Sequence, residues 1–293
     1  MQALLVLSLL TLLPGLGLAT TLHPQGDRMQ RWCAAPALGL AALAATFGLV
    51  VLLGAWSMWL ALVVTFLFQV WGLLTLRRFS APAVQERDAW FRAQRARHRM
   101  WIGGAIALLG LLPVLAADLP QGVDWVGFTA LAHHAMERGA FVSSSGHSWL
   151  YPPGFPALLA FLAQLTGAPL PSVGLAIGQF TLAALLLGMC SAMDRHGAGG
   201  EGILAMILAV GLFSKILDSG WPTVLSLALL PFNLGWMLEV DGPRPEKRLT
   251  LFLSAVASAF LHPAGAFLLM LLLVADVASQ GLAKGQLDRL RLR

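Results

Sequence analysis

The residues able to do chemistry gather in one polar stretch. Between Asp118 and Tyr151 lie Asp118, Asp124, His133, His134, Glu137, Arg138 and His147, and two later points add Lys215 with Asp218, and His262. Asp124 opens a run in which Trp125, Phe128, Leu131, Ala132, Ala135 and Met136 recur at helical spacing, so it heads an amphipathic helix. A carboxylate there suits two roles. It can accept backbone N–H bonds as a helix cap, or take a proton as a general base, and position alone leaves both open. His133, His134 and Glu137 offer i,i+3 and i,i+4 pairs, enough for two ligands on one helix face. That spacing matches no zinc motif, so the expectation is no metal site, with hydrogen-bonding histidines instead. Ser143, Ser144 and Ser145 lack a nucleophile elbow.

The elements that must position these groups follow from composition. The chain has 293 residues, 58% hydrophobic and 11% charged, with a mean hydropathy of +0.76. One aqueous core cannot hide that much apolar surface. A membrane span needs ~20 apolar residues, and long apolar runs recur at 2–20, 36–54, 57–76, 100–117, 172–193, 202–217, 222–239 and 250–275. The expected fold class is therefore all-α, a polytopic transmembrane bundle of eight or nine spans, since only helices satisfy their own backbone in lipid. Residues 1–19 lack a basic n-region and read as a retained first span. Cys33 and Cys190 have no metal-type spacing and imply no disulfide framework. No phosphate-binding glycine loop appears, and nucleic acid is not an expected partner.

Charge sets the expected topology. Seven arginines lie between Arg77 and Arg99 against Glu86 and Asp88, which makes 77–99 a cytoplasmic loop. It separates an N-terminal three-span unit, 1–76, from a membrane module, 100–293, with an outer loop at 118–171. A hairpin at Gly54–Trp56 puts the N-terminus outside. The run 155–165 is shorter than a span and reads as a juxtamembrane or re-entrant helix starting after Tyr151-Pro152-Pro153-Gly154. Pro263 breaks the last run, so two half-helices meet near His262 and the C-terminus returns to the cytoplasm. Three connections then converge on one outward face, where ionisable groups at span ends are functional candidates.

The residues Gly122-Val123-Asp124-Trp125-Val126-Gly127-Phe128, the helix ending Glu137-Arg138-Gly139, and Tyr151-Pro152-Pro153-Gly154 resemble the first-loop module of the GT-C superfamily. These are integral membrane glycosyltransferases related to protein mannosyltransferases and lipid A aminoarabinose transferases. Asp218-Ser219-Gly220-Trp221-Pro222 and Leu261-His262-Pro263-Ala264-Gly265 resemble its outward turns more weakly. The resemblance covers about residues 100–276. It implies transfer of a sugar from a polyprenyl-phosphate donor to an extracytoplasmic glycan, lipid or protein acceptor. Asp124 would be the general base, and Arg138, Tyr151, Lys215, Asp218 and His262 the substrate-binding set. No cofactor is required, although a divalent cation is compatible. A cation near the leaving phosphate would stabilise it, and Arg138, Lys215 and His262 are the available groups. Many members carry a second acid beside the first-loop aspartate and an Arg or Lys where this chain has His262; Asp124 is flanked by Val123 and Trp125. The alternatives are a membrane transporter, which should show paired broken helices, and a non-catalytic membrane protein that docks a partner through its outer loop.

Overall fold

The computed structural model describes residues 2–22, 28–78, 122–140, 151–194, 215, 218–237 and 244–291. The expected span 100–117, all of 202–217 except Lys215, and the basic loop beyond Arg78 lie outside these residues, as do Asp118, Ser143–Ser145 and His147. Every described element is a helix: α1 Gln2–Leu22, α2 Arg28–Leu52, α3 Met58–Arg78, α4 Asp124–Arg138, α5 Gly154–Thr166, α6 Leu170–Asp194, α7 Trp221–Leu227, α8 Leu230–Met237, α9 Arg244–Leu261 and α10 Pro263–Arg291. Five are long and apolar enough to cross a membrane: α1, α2, α3, α6 and the Pro263–Gln280 part of α10.

The first three helices form a tight unit. α1 and α2 run antiparallel, and their backbones meet where a Cβ on Gly15 would overlap the Ala35 carbonyl and one on Gly39 the Thr11 carbonyl. α1 continues through Pro14. Proline has no N–H, so the carbonyl four residues earlier, that of Leu10, loses its helical partner. Gln69 of α3 donates its Nε2–H to that carbonyl at 2.7 Å. α2 ends at Leu52 and the chain reverses through Gly54, whose φ of 66° suits glycine. Ser57 then accepts the Leu60 N–H at 3.2 Å and caps α3. The hairpin expected at Gly54–Trp56 is this turn. Exposed Trp32 and Trp59 sit at its opposite ends, about 30 Å apart along α2, a spacing that suits two membrane interfaces.

Over this unit lies the short pair α4 and α5. α4 closes on Gly139 in the left-handed conformation, φ 69°, and the Gly139 carbonyl accepts the Trp56 N–H at 3.1 Å. α5 has 13 residues, with Phe155 to Leu162 fully buried. A Cβ on Gly154 would lie 2.7 Å from the Phe260 carbonyl and 2.9 Å from that of Ala44. Two turns later Phe161 packs on Phe47, ring centroids 4.7 Å apart. Both ends of this stretch meet the same region of α2, so α5 crosses that helix instead of running along it.

The run expected as a span at 222–239 is described as far as Met237, as two short helices, α7 and α8, interrupted at Ala228–Leu229. Pro231 cannot bond the Leu227 carbonyl, and the Ala228 N–H is shared between the Val224 and Leu225 carbonyls. The final run breaks at His262, as Pro263 dictates. α9 and α10 then fold back on each other: Arg248 Nε donates to Asp276 Oδ2 at 2.7 Å, and its terminal nitrogen to Gln280 Oε1 at 2.5 Å.

The Gln69 rescue of Pro14 is testable as a coupled pair. Gln69→Leu should destabilise the detergent-solubilised protein by about 1–3 kcal/mol through the orphaned Leu10 carbonyl. In a Pro14→Ala background, where the helix N–H returns, the same change should cost much less. Equal costs in both backgrounds, read by chemical denaturation, would refute the assignment.

Candidate functional site

Three connections meet at the end of the bundle that carries the α2–α3 turn. The first is the start of α4. Asp124 is its first residue and exposed, while the capping position belongs to Val123, with no side-chain cap bond. Among the described residues no hydrogen bond engages the Asp124 carboxylate. Of the two roles open on sequence, the cap is therefore unfilled.

The second connection brings Asp218 to it. A Cβ on Gly122 would overlap the Asp218 carbonyl and lie 2.6 Å from its Oδ1, so the Asp218 side chain rests on the backbone two residues before Asp124. Only a glycine at 122 permits this approach. An acid absent from the neighbourhood of Asp124 in sequence is thus supplied by a residue 94 positions later.

Tyr151 completes this side. Its ring packs on Phe128 at 5.4 Å, Phe128 on Phe155 at 5.3 Å, and Phe155 on Trp221 at 6.0 Å. This aromatic file links α4, α5 and α7 under the carboxylates. Burial, and then the negative charge of Asp124, push the Tyr151 hydroxyl up to about 12. At neutral pH it is a hydrogen-bond donor facing a carboxylate.

The cationic groups come from the second connection, with Lys215, and the third, with His262. The Lys215 stem lies over Gly220, where a Cβ would sit 2.8 Å from its Cδ. The His262 side chain, in the turn between α9 and α10, accepts the Ala264 N–H on Nδ1 at 3.2 Å. Its neutral ring then carries the proton on Nε2. Burial, and then the charge of Lys215, hold His262 below its ordinary pKa. The Gly265 N–H is given to Ser226 Oγ at 3.2 Å, so the first free donors of α10 are satisfied internally. The donors left at this point are side chains, Lys215 and the Nε2–H of His262.

Five of the six candidate residues therefore meet: Asp124, Tyr151, Lys215, Asp218 and His262. Arg138 does not join them. It lies at the other end of α4, about 20 Å away at 1.5 Å per residue. His133 and Glu137 pair with each other at 3.0 Å on the exposed face. Among the described residues no group of three or more His, Cys, Asp or Glu could hold a metal ion.

Sequence reasoning missed Ser219. Lys215 is helical, the Gly220 N–H donates to its carbonyl at 2.6 Å, and Ser219 has φ 63°. This is a Schellman closure with Ser219 in the left-handed position that glycine or asparagine normally takes. Left-handed backbone costs a non-glycine residue about 1–2 kcal/mol. Ser219 is also fully buried and, among the described residues, its Oγ has no partner, at a further cost of about 1–3 kcal/mol. The only sequence signal was a serine standing before Gly220.

Tyr151 is the chain's single tyrosine, so tyrosinate absorbance reports it alone. It should ionise near pH 12, and Asp124→Asn should lower that midpoint, because a negative charge opposing ionisation is removed while burial persists. An unchanged midpoint would show that the two side chains do not face each other.

No curated protein and no solved structure matches the chain. A family described as a family of unknown function does match, over residues 8–293. With nearly its whole length covered, the chain belongs to that family, DUF6541.

Proposed function

We propose that this protein is a membrane glycosyltransferase that moves a sugar from a polyprenyl-phosphate donor to an extracytoplasmic glycan, lipid or protein acceptor, with a GT-C-like arrangement. The observation that carries this reading is the uncapped carboxylate of Asp124, set beside Asp218 and Tyr151, with Lys215 on the connection of Asp218 and His262 on the adjoining one. A lipid phosphate is a good leaving group and needs no general acid; one carboxylate to take the acceptor proton suffices. Asp124 takes that proton. The Tyr151 hydroxyl donates to the acceptor oxygen, Asp218 orients the acceptor through its hydroxyls, and Lys215 with the Nε2–H of His262 stabilises charge on the departing phosphate. In this reading the converging end of the bundle faces outward, the N-terminus lies outside, and the C-terminus lies in the cytoplasm.

A second reading, transport, is favoured by one observation. The interrupted run α7–α8 packs against the α9–α10 hairpin, tied by Ser258 Oγ donating to the Ser226 carbonyl at 3.0 Å. Discontinuous helices of this kind commonly form transporter binding sites.

Two measurements separate the readings. In proteoliposomes given a panel of polyprenyl-phosphate sugars, Asp124→Asn should lower transfer by about 10²–10⁴-fold, the range of a lost general base, with insertion unchanged. Normal transfer by that variant removes the base assignment, and donor translocation without transfer by the wild type selects the transporter. For orientation, single cysteines at Val123 and Pro245 should react with a membrane-impermeant reagent from outside and inside respectively. Labelling of both from one side would overturn the topology.

A further inference from the structure

Ser219 combines two unfavourable features that one substitution would relieve. Its backbone is left-handed at φ 63°, where glycine is unstrained, and its hydroxyl is buried without a partner. The neighbouring residue, Gly220, shows that glycine is available at this turn. Both local rules fail at one residue, in the turn that packs on Gly122, two residues before Asp124. Concentrated violations of this kind belong to sites that use them.

We propose that the Ser219 hydroxyl is a ligand-binding group that donates a hydrogen bond to a phosphate oxygen held by Lys215. The hydroxyl belongs to the residue between exposed Asp218 and Gly220, on which the Lys215 stem rests. A phosphate drawn to this turn by Lys215 gives the hydroxyl an acceptor. Binding then recovers the cost of burying it unpaired. The inference rests on the reading of this end as a lipid-phosphate site, and adds to it a neutral donor that no charge pattern reveals.

The test uses the full chain in phosphatidylcholine nanodiscs, with undecaprenyl monophosphate and inorganic phosphate as separate probes. Ser219→Gly should raise the thermal midpoint without probe and weaken binding of the lipid phosphate about tenfold, the effect of one lost hydrogen bond to a charged group. Ser219→Ala keeps the left-handed strain and removes only the hydroxyl. It should weaken binding equally, which assigns the effect to the oxygen and not to the backbone. Parallel loss for inorganic phosphate would show that the hydroxyl reads the phosphate itself; loss confined to the lipid probe would show that the lipid places the phosphate there. A Ser219→Gly protein that is more stable and binds as the wild type does would overturn the proposal, as would a wild type that binds neither probe. Normal transfer by Asp124→Asn alongside lost binding by Ser219→Gly would remove the base assignment and leave this one standing.

Discussion

The site depends on the seating of one side chain, Trp221. Its indole is fully buried against α6, where a Cβ on Gly174 or on Gly178 would overlap the ring. The two glycines are four residues apart and therefore share one helix face, which gives a flat ring a flat floor. In lipid such packing is not driven by transfer of apolar surface from water, since the alternative environment is equally apolar. Dispersion over the whole ring contributes to its seating, and that is lost steeply when the surfaces separate. A side chain at either glycine would push α7 away from α6 and carry the preceding turn, Asp218 to Gly220, with it.

From Trp221 the consequences spread in two directions. Through Phe155 and Phe128 the aromatic file reaches Tyr151 and fixes α4 relative to α5. Through the short helix α7 it reaches Ser226, whose oxygens meet Ser258 and Gly265 on both sides of the α9–α10 turn. The acid side and the cation side are thus held by opposite ends of one seven-residue helix. The close approach of Gly154 to Ala44 and Phe260 locks α5 between α2 and α9. Backbone crossings at glycine, and not interlocking large side chains, set the distances here.

Much of this was legible in the sequence where the signal is local. The bounds of α4, the glycine turn at Gly54, the start of α5 at Gly154 and the break at His262 all follow from caps, prolines and left-handed glycines. Each acts within about four residues. The rest was hidden because it depends on contacts between distant segments. Nothing local to Gly122 announces Asp218, and hydropathy averages over the break at Ala228–Leu229, whose two halves remain equally apolar. Ser219 was invisible for a different reason. Serine is unremarkable in composition, and only its backbone angle and lack of a partner set it apart.

The separation of charge within the site follows from the same constraint. Asp124 and Asp218 belong to connections that Gly122 presses together, whereas Lys215 leans across Gly220 towards His262. Lys215 and Asp218 lie on one turn, so the two halves cannot drift apart without unwinding the closure at Ser219. Because burial and Lys215 hold His262 below its ordinary pKa, that lysine is, among the described residues, the positive charge on its side. One cation beside two carboxylates does not hold a bare dianion strongly. In the reading proposed above, a phosphate ester at this end would have its remaining oxygens satisfied by neutral donors, the Ser219 hydroxyl and the imidazole N–H, which then matter as much as the charges.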